Sequence, residues 1–348
     1  MVDYIVVGFG LAGLAFVEKL ENNNKSYVIY ENFSQNSSRV AGGLYNPVIL
    51  KRFTAAWLAS EQMTLAIPFY KKIQDTLAKP LVSELSVLRR FNNVEEQNLW
   101  FEACDKPILS EFLSSDLVKN ENSALDVSFH YGRVEDTGRI DVKEMLALYL
   151  QFIEKKNRLK KESFKYDQLE VSEDCITYQD IKARNIVFSE GYGVKNNPFF
   201  NHLPLNGNKG EYITIHSKEL KLKEAVKSSI FIIPLGNDLY KVGATYNNQD
   251  KNQTITASAR QELQNKLERF LKVPYQIVDQ EVGIRPTTRD RRPLVGTHSK
   301  YKNMHIMNGL GSRGILIGPY AADKLYDYIE NKKPLDKEID IKRFEGLR

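Results

Sequence analysis

The sequence predicts an α/β protein: a Rossmann-like dinucleotide-binding domain interleaved with an α+β domain built on a mainly antiparallel sheet. Three observations carry this expectation. The chain opens on an apolar run, a G-x-G-x-x-G loop, a helix and a second apolar run that ends in an acid. Residues 210–246 then alternate apolar and polar positions in the manner of half-buried strands. Near the C-terminus a further apolar run delivers a second glycine loop to a helix.

The first element is Tyr4-Ile5-Val6-Val7, short and apolar enough for a buried strand. Gly8, Gly10 and Gly13 follow, then a helical stretch over 14–20. Gly8 permits a tight strand-to-helix turn, Gly10 lets backbone approach a pyrophosphate, and Gly13 lets the helix pack on the sheet. The helix start offers free N–H groups to phosphates. Tyr27-Val28-Ile29-Tyr30 reads as the next strand, and Glu31 follows it, 23 positions after Gly8, where an acid accepts hydrogen bonds from a ribose. NAD and FAD share this half-site, so the motif alone leaves the dinucleotide open.

Length and composition bound the rest. The chain has 348 residues, enough for about two domains of roughly 150 residues each. A net charge of +5 from 49 basic and 44 acidic residues demands neither a nucleic acid nor a membrane as partner. Cys104 and Cys175 make neither a disulfide framework nor a C-x-x-C site, which fits a reducing cytoplasm. No signal peptide is expected, since Asp3 stands at the start of the first strand without a basic segment before it. The apolar stretch over 5–17 is too short to span a bilayer, which takes about 20 residues.

Between the two glycine loops the reading is coarser. Ser37 to Pro47, with Gly42 and Gly43, suits either a backbone lying against a ring or phosphate, or a flexible loop. Residues 54–77 carry helical apolar spacing with Pro68 as a kink or break. Residues 80–130 read as short strands with a helix around 95–101, and His130 as an ordinary strand histidine. Asp141 is the natural N-cap of a helix whose apolar face includes Met145, Leu146, Tyr149, Leu150 and Ile153. The basic residues after it (Lys155, Lys156, Arg158, Lys160, Lys161) suit an RNA patch or, more ordinarily, the carbonyl end of the helix. Strands are expected over 164–171, 175–178 and 186–188, the last ending at Gly191, then a helix over 257–271 and a strand over 277–284. Residues 1–50, 135–200 and 285–348 are accordingly assigned to the dinucleotide domain, and 51–134 and 201–284 to the second domain.

The closing loop decides the cofactor. Gly309-Leu310-Gly311-Ser312-Arg313-Gly314 precedes a helix over 315–331, and no strand ending in an acid follows, so it is not a second NAD fold. A helix N-terminus favours negative charge. Reduced flavin carries such charge near N1 and the C2 carbonyl, whereas nicotinamide does not. FAD is therefore expected.

Taken in order, these pieces resemble the D-amino-acid oxidase family of FAD-dependent oxidoreductases, which includes glycine and sarcosine oxidases. The resemblance rests on the N-terminal fingerprint, the Ser38–Leu44 loop, Ile186–Gly191, Lys241-Val242-Gly243-Ala244-Thr245, Gly283-Ile284-Arg285-Pro286, Pro293-Leu294-Val295-Gly296 and Gly309–Gly314. It implies FAD at Gly8, Gly10, Gly13, Glu31, Ser38, Gly42, Gly43, Gly191, Gly309, Leu310, Gly311, Ser312, Gly314 and Ile315, with Tyr166 contacting the adenine half from its strand. Two departures stand out. No cysteine lies near Arg285, where covalent sarcosine oxidases hold their flavin, so FAD should be non-covalent. Glu190 replaces the small residue expected before Gly191.

The resemblance also places Arg285 where the family grips a substrate carboxylate, with Tyr246 assigned to the substrate as well. A planar guanidinium binds a carboxylate bidentately; the competing reading is a structural ion pair. The neighbouring Arg289, Asp290, Arg291 and Arg292 suit a solvated loop. Lys241 lies where sarcosine oxidases carry a lysine that helps reduce oxygen, although a lysine on an alternating strand ordinarily points to water. No metal site is expected. The implied activity is oxidation of the C–N bond of an amino acid or N-substituted glycine by hydride transfer to flavin N5. A related reading resembles the flavin half of the enzyme that trims carboxymethylaminomethyl-uridine in tRNA, without its methyltransferase part. An NAD-dependent dehydrogenase and a non-catalytic RNA-binding protein are the alternatives of other classes. The partner is a small amine or amino acid, with tRNA less favoured, no membrane, and no oligomeric state indicated.

Overall fold

The computed structural model describes residues 1–345. Its helices are α1 (Leu11–Asn22), α2 (Ala59–Leu77), α3 (Val94–Cys104), α4 (Val142–Lys155), α5 (Ala257–Leu267) and α6 (Gly314–Glu330). Strand Val2–Val7 lies at the centre of an eight-stranded sheet, parallel to Tyr27–Tyr30 on one side and Ile181–Phe188 on the other. Leu159–Lys160 continues the sheet beyond Tyr27–Tyr30, and Met304–Asn308 runs parallel to Ile181–Phe188. Strands buried on both faces read as continuous apolar runs, which is why the local sequence exposes them clearly. One face carries α1, α4 and α6 in a single core with Phe16, Tyr149 and Leu325. The other packs Tyr30, Phe164, Ile176 and Phe188.

The second sheet has seven strands in the order Gln276–Thr288, Leu205–His216, Leu239–Gly243, Phe231–Gly236, Ala225–Lys227, Val87–Arg90 and Tyr131–Val134. All its pairings are antiparallel except Ala225–Lys227 with Val87–Arg90. Its alternation has the expected sense. Ile213, Ile215, Ile232, Tyr240 and Val242 face a core that includes Leu263 and Leu267 of α5, while Tyr212 and Gly243 face the cavity described below. Strand Gln276–Thr288 is continuous through position 285, where the sequence-based domain boundary falls.

Several local expectations shift. The helix expected from residue 54 starts at Ala59, because Leu58 adopts φ +48° and Thr54–Ala55 pairs as a short strand with Val48–Ile49. Pro68 is accommodated inside α2 without ending it. The expected strand over 164–171 is a strand only at Leu169–Val171; Tyr166–Gln168 forms a 3-10 turn. The helix expected to residue 271 ends at Leu267. His130 is exposed at φ +62°, just ahead of its strand rather than within it. The residues around 290 are tied down: Asp290 pairs with Arg343 at 2.8 Å and Arg292 with Glu338 at 3.2 Å. The basic tail of α4 is partly neutralised, with Lys156 and Arg158 on Glu21 and Lys161 on Glu154.

Candidate active site and cofactor-binding cavity

A cavity of about 450 Å³ runs between the C-terminal ends of the parallel strands and the inner face of the second sheet. Strand Val2–Val7 feeds into Gly8 at φ +92°, and α1 begins three residues later. A Cβ on Gly13 would stand 2.1 Å from the Gly8 carbonyl oxygen, so the third glycine is required by the packing of α1 on its own turn. Helix α1 has no side-chain cap from its own N-cap residue. Instead the Leu11 N–H donates to Ser38 Oγ at 3.0 Å, which brings the Ser38 loop over the helix start.

Glu31, buried at the end of its strand, accepts from the Phe9 and Phe33 N–H groups. Beyond it lies Glu190. The Tyr166 hydroxyl donates to its Oε1, and Asn197 Nδ2 donates to Oε2 at 2.8 Å. Burial pushes the Glu190 carboxyl up to about 7, against the lowering effect of these two bonds. Tyr166 thus lines the cavity from a turn, and its side chain fixes Glu190. Gly191 has φ +57°, and a Cβ there would meet no atom within 4 Å because it would project into the cavity.

At the other side α6 opens onto the cavity through Leu310, Gly311, Ser312, Gly314 and Ile315. Gly309 sits just behind at φ +72°, with a Cβ position 2.9 Å from Thr288 Cγ2. Two helix N-termini, two glycine loops and a buried acid therefore face one elongated space, an arrangement that fits FAD. The chemistry matches as well: free N–H groups for phosphates at α1, a carboxylate for a ribose, and a positive helix end for the flavin pyrimidine. Gly42 and Gly43 line the middle, with Ile233 of the second sheet packed over Gly42.

Arg285 enters from the second sheet. It is 8% exposed, its Nη1 donates to Asn208 Oδ1 at 2.8 Å and Thr245 O at 3.3 Å, and its guanidinium lies 4.5 Å from the Tyr246 ring centroid. Gly210 makes room for it, since a Cβ there would stand 2.2 Å from the guanidinium. Among the described residues no carboxylate pairs with Arg285, so the ion-pair alternative finds no partner. Tyr246 lines the same space with its ring largely exposed. Lys241 is placed otherwise. It is neither exposed nor among the cavity-lining residues: it is 7% exposed and ion-paired with Glu281 at 2.6 Å. Tyr212, whose ring lies 5.2 Å from the Lys241 ammonium, lines the cavity in its stead.

The structure adds two cations that sequence reasoning passed over. Arg313, in the last glycine loop, donates to the Asn46 carbonyl while its Nε is buried without a partner, and burial holds its guanidinium down at about 10. Its place between two glycines was a usable signal. Lys227 stands on a strand that no motif marks.

A sequence model of the FAD-dependent oxidoreductase (DAO) family matches residues 3–328. The chain belongs to this family. Within it, the chain is similar to the glycine oxidase of Bacillus subtilis (strain 168), 27% identical over 161 residues, covering 44% of this chain and 43% of that one. It is also similar to the tRNA 5-methylaminomethyl-2-thiouridine biosynthesis bifunctional protein MnmC of Shewanella halifaxensis (strain HAW-EB4), 24% identical over 203 residues, covering 44% and 31%. The matches thus span less than half the length of these curated relatives. Among solved structures, glycine oxidase from Geobacillus kaustophilus superposes with a TM-score of 0.77 at 18% identity, covering 97% of this chain and 96% of that one. Iminodiacetate oxidase from Chelativorans sp. BNC1 does so with a TM-score of 0.77 at 17% identity, covering 97% and 98%. At such identities the likeness is one of fold. The family makes the chain an FAD-dependent oxidoreductase, with FAD rather than NAD as its dinucleotide.

Proposed function

We propose that this FAD-dependent oxidoreductase oxidises the C–N bond of an amino acid or N-substituted glycine whose carboxylate is held by Arg285. One observation carries the reading: a buried guanidinium, unpaired with any acid among the described residues, faces the cavity shared with the cofactor loops. Asn208 and the Thr245 carbonyl fix its plane, so a carboxylate meets a preset fork rather than a mobile side chain. The bound flavin supplies the hydride acceptor at N5. The chain's part is to place the C–H bond against it, with Arg285 holding the carboxylate and Tyr212, Phe231 and Tyr246 excluding water around the amine. Only a neutral amine is required of the substrate, so a dedicated acid–base pair is not needed.

The similarity to proteins named for tRNA 5-methylaminomethyl-2-thiouridine biosynthesis supports a second reading, in which the glycine nitrogen is attached to a tRNA uridine. Arg285 would serve that substrate in the same way. Lys241, as an alternative to its ion-pairing role, is the candidate for assisting oxygen. The free thiols Cys104 and Cys175 suit a cytoplasmic setting. A screen of amino acids and N-substituted glycines under argon tests the proposal. Bleaching of the flavin by at least one carboxylated amine is the expected result, and bleaching only by amines without a carboxylate would overturn it.

A further inference from the structure

Four cavity-facing positions stand in register across the second sheet: Lys227 opposite Phe231, Phe231 opposite Gly243, and Gly243 opposite Tyr212. The row sets Lys227 at the far side of the cavity from Arg285. Its ammonium lies 5.1 Å from the Phe231 ring centroid and donates one hydrogen bond, to the Ser229 carbonyl at 3.0 Å. An ammonium has three protons to place. Among the described residues no carboxylate pairs with it. The charges that act on it are Arg89, Lys266 and Lys51, all positive. Arg89 is paired with Glu96 at 3.0 Å and Lys266 with Glu262 at 2.5 Å, while Lys227 has no such acid among the described residues. Burial, then these cations, hold Lys227 down at about 8. Partly buried charges are ordinarily paired. A cation left without an acid and facing a ligand cavity suits an anion there.

The cofactor does not account for it. Phosphates would be held by the α1 N-terminus and Gly8–Gly10 on the other sheet, and the flavin pyrimidine by the loop that opens α6, all of them away from the strand of Lys227. We propose that Lys227, supported by exposed Lys51 at the same cavity wall, binds a second anionic group of the substrate. On this assignment, which rests on the C–N oxidation reading, the substrate is a glycine-type amine whose nitrogen substituent ends in a phosphate or a carboxylate. The register sets the length. Lys227 is four strands from the strand of Arg285, and Arg285 lies four residues beyond Glu281, the partner of Tyr212. With strands about 4.8 Å apart and about 3.3 Å per residue, the two backbones stand on the order of 20 Å apart. The guanidinium lies over Gly210 and the ammonium against Phe231, each one strand inward, which leaves the charges on the order of 10 Å apart. A short diacid would not span that distance; a substituent of nucleotide size would.

The test uses the FAD-loaded protein under anaerobic conditions. N-alkylglycines with three- to eight-carbon chains are compared with the same chains ending in phosphonate or in carboxylate, and the half-saturating concentration for flavin bleaching is read for each. At the matching length the acid-ended chain should half-saturate at a concentration at least tenfold lower than the methyl-ended one. Lys227→Met should bring that ratio to within twofold, and Lys227→Arg should retain it. Whichever acid gives the larger ratio identifies the group as phosphate-like or carboxylate. A ratio of one at every length, or a ratio unchanged in Lys227→Met, overturns the subsite while bleaching by the methyl-ended glycines leaves the parent reading standing. Failure of every glycine to bleach the flavin overturns both.

Discussion

In a nearly closed setting Asn208, the Thr245 carbonyl and the Tyr246 ring surround the Arg285 guanidinium without giving it an acid as partner. Replacing it with Met preserves bulk and removes the fork. Affinity for a carboxylated amine should fall by tens- to thousands-fold, about 2–5 kcal/mol, while FAD stays bound. Steady-state KM and flavin content of the purified variant check both halves. Lys241 belongs to a different account. Its ammonium spans to Glu281, which also meets Lys143 of α4 at 3.1 Å, so the trio ties the second sheet to the dinucleotide side. Lys241→Met should lower stability by about 1–3 kcal/mol in thermal melting. A tenfold slower reoxidation of reduced flavin with an unchanged melting temperature would instead assign Lys241 to oxygen. Glu190 gives a pH signature. Its folded pKa of about 7 lies above its ordinary 4.5, so the contribution of its neutral form is complete below about 4.5 and is lost as pH rises through 7. The unfolding free energy of the apoprotein, from denaturant titrations, should fall more steeply between pH 5 and 8 in the wild type than in Glu190→Gln, by an amount on the order of 2–3 kcal/mol.

The glycine loops show what an element asks of its sequence. At Gly13 an added Cβ would collide with backbone, and nothing nearby can yield. Gly13→Ala should therefore cost at least about 2 kcal/mol and depress folded yield. Gly191→Ala meets no collision, only the strain of φ +57°, roughly 1 kcal/mol, and its methyl would enter the cavity. That variant should fold and bind FAD more weakly, as FAD fluorescence quenching by the apoprotein would show. Such loops were legible in the sequence because the turn, the helix start and the acid at Glu31 lie within one local stretch, each position having its own steric reason. Arg285 and Tyr246 were legible through family resemblance, and the structure brings them together. Lys227 was not legible. Its meaning depends on register across four strands, and nothing within its own segment differs from an ordinary exposed lysine. Tyr166 was placed in a strand because its apolar neighbours suit one, whereas its hydroxyl is drawn to Glu190, 24 residues away.

At the scale of the whole molecule, one sheet presents strand ends and helix N-termini, the other presents a face, and the cavity lies between them. On the proposed reading this arrangement separates tasks: the parallel sheet supplies the dinucleotide site, and the second sheet brings Arg285, Tyr246 and Lys227 to the cavity as the residues for the substrate. Neither Cys104 nor Cys175 lines the cavity. The flavin should therefore be released in full by acid precipitation, and yellow colour retained in the pellet would show a covalent link. The most direct test of the central claim mixes the FAD-loaded protein under argon with N-substituted glycines and follows flavin absorbance for wild type and Arg285→Met. The account predicts bleaching of the wild type, and loss of bleaching at the same concentration in a variant that retains its FAD. Equal bleaching of both proteins would contradict it.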